Sequence, residues 1–251
     1  MKVDKFISHR GAKTDHVENT IKAFEIAKNN GFKWFEIDVQ MSVDGELFLF
    51  HDDSTKRLAG IDKDPTKMTW SELRAIDLIH PTLTETDKIP SLKEYLDWTV
   101  ANELFTNIEI KVLDSAGEDY IQALITKVVA LLSTYKDIKK QVFISSFSKL
   151  AMRSLKRYKD YRKGKLFYTR NWSKDFEYLD TKLHAHYKNN NYMAIIINYD
   201  CLNRKRVQYL KSKFGKVFVY SVYTDYEVRK LLEWGIDAMF IDKTGQRNIT
   251  L

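Results

Sequence analysis

Two histidines of this chain lie where short strand-like segments end. His9 ends the segment 5–9 and is followed by Arg10, and His51 comes directly after the segment 47–50. Imidazole titrates near neutral pH, so a pair of histidines can divide the work of general base and general acid. We therefore expect His9 and His51 to form an acid-base pair.

Three carboxylates lie inside two other strand-like segments. Glu36 and Asp38 alternate within 33–39, and Glu109 lies within 105–111. Residues two apart in a strand share a face, so these acids point to one side and the intervening apolar residues to the other. Burying three carboxylates together is costly without a compensating positive charge. Because oxygen ligands suit Mg²⁺ or Ca²⁺ better than zinc, we expect one such divalent cation.

Two permanent cations accompany these groups. Arg10 is next to His9, and Lys111 shares a strand face with Glu109. Arginine can bind a phosphate through two donors, and lysine acts as a compact point charge. A metal, two imidazoles, Arg10 and Lys111 around one cavity would form a site for a phosphate ester.

Alternating strands and helices are expected to position these residues. Strand-like runs occur at 5–9, 33–39, 47–50, 105–111, 142–146, 165–168, 193–197, 217–222 and 238–241. Helical spacing occurs at 20–30, 91–102, 117–135, 148–158, 203–213 and 225–234. This α/β pattern predicts a (β/α)₈ TIM barrel, whose active site lies at the carboxyl ends of its strands. The runs outnumber the eight barrel positions, so we expect at least one peripheral strand.

The barrel is expected to be slightly irregular. No helix separates the second and third runs, and Asp44-Gly45 between them is a tight-turn signal. Residues 53–90 hold all three prolines and few strand signals, which predicts a small surface insertion with one helix near 69–77, partly covering the barrel mouth. We expect a single domain over residues 1–251. Membrane contact through the insertion has four apolar candidates: Leu58, Met68, Trp70 and Leu73.

Composition narrows the class of protein. Hydrophobic residues make up 44% of the chain and charged residues 30%, which is enough apolar material for a core. Cys201 is the one cysteine, so no intramolecular disulfide can form. We find neither a signal-peptide pattern nor an apolar run of membrane-spanning length, and expect a cytoplasmic protein. The net charge of +7 suits an anionic ligand, an anionic membrane surface or nucleic acid and does not choose among them. We expect no nucleic-acid partner. The oligomeric state is not indicated.

The order of the motifs matches a known family. HRG, ENT, EIDV, DGELFLFHD and IEIK follow one another between residues 7 and 111. Weaker matches continue at 88–98 (KIPSLKEYLDW), 142–148 (VFISSFS) and 234–242 (WGIDAMFID). Each motif alone is weak, but five in this order and spacing resemble the glycerophosphodiester phosphodiesterase family, a branch of the phospholipase-C-like barrels.

The resemblance implies a fold and a reaction. The family is a (β/α)₈ barrel with a small insertion after its histidine-aspartate motif, which fits residues 53–90. It uses a divalent cation to cleave glycerophosphodiesters to an alcohol and glycerol 3-phosphate, and a glycerol hydroxyl is thought to attack phosphorus first, giving a cyclic phosphate that water opens. Carried over by motif, His9 and His51 are the acid-base pair, Glu36, Asp38 and Glu109 the metal ligands, and Arg10 and Lys111 the phosphate contacts.

Two further positions, Glu18 and Tyr220, lie in the matching motifs outside the acid-base, metal and phosphate sets. Glu18, within ENT, either orients Arg10 or a loop, or is an acidic residue favoured near a helix N-terminus. Tyr220 lies in Tyr-Ser-Val-Tyr (220–223), where the family usually has Trp-Thr-Val-Asn, and is expected near the substrate mouth. The family's closing Thr-Asp-x-Pro is Ile-Asp-Lys-Thr here (241–244). These departures concern the leaving group and not the reaction.

Other functions remain open at this stage. The same site could act as a lysophospholipase D or release a cyclic phosphate, or the barrel could bind a phosphate ligand without catalysis. Structural alternatives are histidines without a chemical role and carboxylates that only form salt bridges with Arg10 and Lys111. The remaining histidines are expected on the surface: His16, His80, His184 and His186.

Overall fold

Eight parallel strands close into a barrel in the computed structural model, which describes residues 2–113, 116–172, 187, 190 and 192–250. In chain order the strands are β1 (Phe6–His9), β2 (Trp34–Met41), β3 (Leu47–Leu49), β4 (Leu78–Ile79), β5 (Thr86–Asp87), β6 (Phe105–Ile110), β7 (Val142–Ser146), β8 (Arg162–Phe167), β9 (Ala194–Asn198), β10 (Val217–Val222) and β11 (Ala238–Ile241). The barrel order is β1, β2, β6, β7, β8, β9, β10, β11 and back to β1. The predicted TIM barrel is confirmed.

Helices surround the barrel, and most of them begin at a polar side-chain cap. They are α1 (Ile21–Asn29), α2 (Lys56–Ala59), α3 (Trp70–Ala75), α4 (Leu92–Ala101), α5 (Glu118–Ser133), α6 (Lys149–Ser154), α7 (Arg204–Phe214) and α8 (Asp225–Trp234). The Thr20 hydroxyl accepts from the Ala23 backbone amide at the start of α1, and Ser91 and Glu94 form a capping box at α4. Such caps satisfy amides that have no partner within the helix.

The apolar core lies in two layers separated by the barrel wall. Phe35, Ile37 and Ile108 point outward and pack with the helices, as the alternation in β2 and β6 predicts. Inside the barrel, a second cluster around Trp34 and Phe143 fills the interior. Polar residues of the same strands are therefore directed to the inside, towards the carboxyl ends.

β3 is the peripheral strand. It is antiparallel to β2, with Val39 opposite Leu49, after a turn in which Gly45 has φ of 89°. A residue with a Cβ rarely adopts this left-handed conformation, which suits glycine. The run 47–50 is therefore not a barrel strand, and a hairpin beside the barrel wall delivers His51 to the mouth.

The insertion at 53–90 is more structured than expected. It contains α2, α3 and the β4–β5 hairpin instead of one helix. Three of its four candidate membrane contacts, Leu58, Met68 and Leu73, are buried in a small core that also includes Phe48 and Phe50. These three candidate side chains are therefore not available at the surface for membrane contact. Among the described helices, none has the length and apolarity needed to cross a membrane.

Candidate active site

One cavity of about 370 Å³ lies at the carboxyl ends of the barrel strands. One wall, which we call the charged side, consists of His9, Arg10, Lys13, Glu36, His51, Glu109 and Lys111. The second wall, the aromatic side, comes from the part of the barrel between β7 and β11 and consists of Phe147, Leu166, Tyr220, Tyr223 and Phe240. The structure thus brings the sequence-predicted residues together, with Asp38 buried next to Arg10 and Lys111 and Glu18 behind Arg10.

Strand register explains how the three carboxylates meet. His9 is opposite Glu36 in the β1–β2 pair, and Asp38 is opposite Glu109 in the β2–β6 pair. One carboxylate oxygen from each acid lies within 4.8 Å of the others. Like charges directly opposite in neighbouring strands are unfavourable, so this cluster needs positive charge.

Arg10 and Lys111 supply part of that charge. Arg10 Nε lies 3.0 Å from Asp38 Oδ2, and Lys111 Nζ lies 3.4 Å from Asp38 Oδ1 and 3.1 Å from Glu109 Oε1. Burial alone would raise the pKa of Asp38, but Arg10 and Lys111 outweigh it and hold that pKa well below its ordinary value. Asn19 Nδ2 also donates to Asp38 Oδ2 over 3.0 Å.

Arg10 and Lys111 also act on Glu36, but there they do not outweigh burial. Among the described residues, no donor forms a hydrogen bond with either Glu36 carboxylate oxygen or with Asp38 Oδ1. Burial raises the pKa of Glu36 well above its ordinary value, and Asp38 and Glu109 raise it further. Its nearest ion-pair partner is His9, whose Nε2 lies 3.8 Å from Glu36 Oε2, too far for a hydrogen bond. Buried carboxylate oxygens without donors, next to two further acids, fit a divalent cation with oxygen ligands.

Asp242 holds the His9 ring. Nδ1 of His9 donates to Asp242 Oδ1 over 2.7 Å, and Lys13 Nζ lies 2.9 Å from Asp242 Oδ2. Burial, with Arg10 and Lys13 acting in the same direction, lowers the pKa of His9 to about 4, although Asp242 opposes the shift. Asp242 itself has its pKa lowered to about 2, because His9 and Lys13 outweigh burial.

His51 has a corresponding carboxylate. Its Nδ1 donates to Asp52 Oδ1 over 2.7 Å. Arg57, from α2 of the insertion, binds Asp52 through Nε at 2.6 Å and Nη2 at 3.1 Å. In both histidines a carboxylate occupies Nδ1, so Nε2 is the ring nitrogen left for other partners.

Arg57 also connects the two histidine regions through Glu18. Its Nη1 and Nη2 donate to Glu18 over 2.9 and 2.8 Å, and Arg10 Nη1 donates to Glu18 over 3.0 Å. Arg57 and Arg10 outweigh burial and lower the pKa of Glu18 to about 2. Of the two interpretations of Glu18, the contact with Arg10 is the one found.

Sequence reasoning missed four supporting residues. Asp52 is adjacent to His51, and barrel closure could have indicated Asp242, because β1 and β11 pair with Ser8 opposite Ile241. No pattern pointed to Lys13 or Arg57.

The expectation for the remaining histidines is partly wrong. His16 is buried with Nε2 3.0 Å from Asp87 Oδ2, and His80 is buried with Nε2 3.0 Å from the Lys13 carbonyl oxygen. Both therefore have structural partners in the insertion or the adjoining loop. His184 and His186 lie outside the described residues.

Comparison with known proteins agrees with this geometry. A model of the glycerophosphoryl diester phosphodiesterase family matches residues 9–246. A glycerophosphodiester phosphodiesterase of Caldanaerobacter subterraneus subsp. tengcongensis is 25% identical over 242 residues, covering 94% of this chain and 93% of the relative.

Solved structures show the same fold. A phosphodiesterase of Oleispira antarctica, in complex with the product sn-glycerol-3-phosphate, superposes with a TM-score of 0.84 at 24% identity, covering 98% of this chain and 95% of the other. A glycerophosphoryl diester phosphodiesterase structure from Silicibacter pomeroyi has a TM-score of 0.85 at 20% identity, covering 98% and 92%.

A TIM barrel whose strand ends combine an acidic cluster, two histidines and two cations defines a phosphodiesterase-type enzyme. The chain belongs to the glycerophosphoryl diester phosphodiesterase family.

Proposed function

We propose that this enzyme hydrolyses glycerophosphodiesters to an alcohol and glycerol 3-phosphate, with His9 and His51 as the acid-base pair and Mg²⁺ or Ca²⁺ as the cofactor. One observation carries the proposal. A buried cluster of three carboxylates, with oxygens that lack donors among the described residues, borders the same cavity as both histidines.

The metal would be held by Glu36, Asp38 and Glu109. These acids offer only oxygen ligands, which favours Mg²⁺ or Ca²⁺ over zinc. When bound, the cation supplies positive charge that stabilises the phosphoryl oxygens of the substrate.

Arg10 and Lys111 would bind the phosphate. Both line the cavity and both already face carboxylates of the cluster, so their positions are held before substrate arrives. Such preorganised cations stabilise charge that develops on phosphoryl oxygens in the transition state.

The two histidines would carry out the proton transfers. With Nδ1 bound to Asp242 in His9 and to Asp52 in His51, each ring presents Nε2 to the substrate. One imidazole takes the proton of the attacking glycerol hydroxyl, the other protonates the oxygen of the leaving alcohol, and water then opens the cyclic phosphate to glycerol 3-phosphate with these roles exchanged. A carboxylate on Nδ1 leaves Nε2 of a neutral ring free to act as the base, and it stabilises the doubly protonated ring that acts as the acid.

The comparisons support the reaction at the level of the family. The Caldanaerobacter relative, named as a glycerophosphodiester phosphodiesterase, matches nearly the whole chain. The Oleispira structure contains the proposed product, sn-glycerol-3-phosphate.

The test is release of glycerol 3-phosphate from a panel of glycerophosphodiesters, with Mg²⁺, with Ca²⁺ and with a chelator. His9→Ala and Glu109→Gln are compared with Glu25→Gln, which changes a half-exposed acid that does not line the cavity. We expect metal-dependent release that the first two variants lose and the control keeps. A cyclic phosphate as the final product would contradict the hydrolysis, and metal binding without turnover of any diester would indicate a binding protein.

A further inference from the structure

The aromatic side of the cavity has no role in the reaction proposed above. Phe147 lies after β7, and Tyr220 and Tyr223 lie at the end of β10. Phe147 and Tyr223 are 41% and 52% exposed, although both are large rings of which most proteins bury more. Half-exposed rings that border one cavity are typical of a ligand-binding surface.

The backbone of β10 is irregular where it presents these rings. The register with β11 shifts between Val219 and Val222, and Ser221 has φ of 59°. This left-handed conformation is uncommon for a residue other than glycine. In a regular strand alternate residues face opposite sides, whereas here Tyr220, Ser221 and Tyr223 all line the cavity. The bulge therefore turns additional side chains towards the substrate.

The positions of two of the rings are fixed by neighbours. The Tyr220 hydroxyl donates to the Phe167 carbonyl oxygen over 3.2 Å, so its polar end is satisfied away from the ring face. Phe147 meets Tyr220 edge to face, with 5.7 Å between ring centroids. The backbone amide of Tyr223 donates to Glu227 over 2.7 Å, which anchors the turn into α8.

We propose that Phe147, Tyr220 and Tyr223 form a subsite for a quaternary ammonium leaving group, so that the preferred substrate is a choline diester of glycerol phosphate. The inference rests on the proposed function, because it assigns the alcohol half of the same substrate. Aromatic faces attract a cation that lies over them, and methylated ammonium groups are bound in this way.

The chemistry of the wall favours the trimethylammonium group over a primary ammonium group. A primary ammonium ion carries three N–H donors that lose water on binding, and ring faces are poor acceptors for them. A trimethylammonium ion has no such donors, so it keeps its charge interaction without an unpaired polar group.

The decisive comparison uses two isosteres. Glycerophosphocholine and its 3,3-dimethylbutyl analogue differ only in a positively charged nitrogen against a neutral carbon. Both release glycerol 3-phosphate, as does glycerophosphoethanolamine, so one assay gives kcat/KM for all three. We expect the choline diester to exceed the neutral analogue and the ethanolamine diester by about tenfold or more, in line with the usual strength of a desolvated cation–π contact.

Three variants connect this preference to the rings. Phe147→Leu and Tyr223→Leu keep apolar bulk but remove the aromatic face, and should lower the ratio of kcat/KM for glycerophosphocholine to kcat/KM for its neutral analogue several-fold. Tyr223→Phe should keep the preference, because the face remains. Tyr226→Leu is the matched control, since Tyr226 is 65% exposed and does not line the cavity.

The outcomes separate this inference from the proposed function. Release of glycerol 3-phosphate from any member of the panel supports the function, whereas the ratio between the isosteres tests the subsite. Equal kcat/KM for the choline and dimethylbutyl diesters, or a preference that both leucine variants leave unchanged, would overturn it. If no diester is turned over, equal calorimetric affinities for the two isosteres would overturn it as well.

Discussion

The two walls of the cavity differ in their interactions: one consists mainly of ion pairs and the other mainly of aromatic and apolar side chains. On the charged side each cation faces a carboxylate, as in Arg10 with Glu18 and Lys111 with Glu109. All residues of this wall come from the part of the chain up to Lys111. On the aromatic side the residues come from Phe147 onward and contribute rings on an irregular backbone. In the function and subsite that we propose, the first wall determines which bond is broken and the second determines which alcohol leaves.

Loss of a histidine should have the largest effect. His9→Asn or His51→Asn is expected to lower kcat by about 10²–10⁴-fold for every diester alike, because general acid-base catalysis contributes that much. Steady-state kinetics on two substrates with different alcohols measures this. His16→Asn serves as the control, since His16 pairs with Asp87 outside the cavity. A variant that lost activity towards only one alcohol would contradict the division between the walls.

Removal of Arg57 should have the next largest effect. Arg57→Met leaves Asp52 and Glu18 without their shared partner, so we expect activity to fall by about tenfold to a hundredfold, as is common when a supporting hydrogen bond is lost. Arg57→Lys should recover little of it, because one ammonium group cannot make both bidentate contacts.

Arg74→Met is the matched control for that experiment. Arg74 also lies in the insertion and also pairs with a glutamate, Glu94, at 2.8 Å, but away from the cavity. Equal activity loss in the two methionine variants would mean that the insertion acts only through its stability.

Glu18 should make the free energy of unfolding depend on pH in the acidic range. Its pKa is about 2 in the folded protein and near 4.5 when unfolded, so it stabilises the fold above pH 4.5 and loses this contribution as the pH falls towards 2. Glu18→Gln should therefore lower the free energy of unfolding at pH 7 by up to about 3 kcal/mol. Urea denaturation at several pH values should show the difference from wild type shrinking below pH 4.5. A difference that is constant with pH would contradict the linkage.

Ser221→Gly should have the smallest effect, and a stabilising one. Glycine adopts the positive φ of this position without the Cβ clash that other residues meet, so relief of about 1 kcal/mol is expected. The midpoint of denaturant unfolding measures it. A lower midpoint would show that contacts of the serine hydroxyl matter more than the backbone conformation.

Strands with continuous apolar runs could be predicted from the sequence almost to the residue. β7, β10 and β11 have the predicted bounds. β8 begins at Arg162 instead of 165, because its first half, Arg-Lys-Gly, looks like part of a loop. Lys163 is nevertheless buried and donates to the Tyr158 and Tyr161 carbonyl oxygens, contacts that no local pattern reveals.

In the site, too, features that follow from local sequence could be predicted, and features that depend on long-range contacts could not. Alternation in β2 and β6 was enough to predict that Glu36, Asp38 and Glu109 meet, because the face of a strand follows from its sequence. The pairing of His9 with Asp242 spans 233 positions and depends on barrel closure. The conformation of Ser221 could not be predicted, since it arises from the register shift between β10 and β11.

The hairpin position of β3 means that catalysis and folding can fail separately on heating. Three residue pairs form the ladder between β3 and β2, and Gln40 of β2 donates to the carbonyl oxygens of Phe50 and Asp52. The segment after β3 otherwise packs on a small core of its own. A local opening of this segment would carry His51 away while the parallel barrel and its acidic cluster stay intact. Thermal inactivation should therefore precede the loss of circular dichroism, and cooling should restore the enzyme as long as the barrel has not melted.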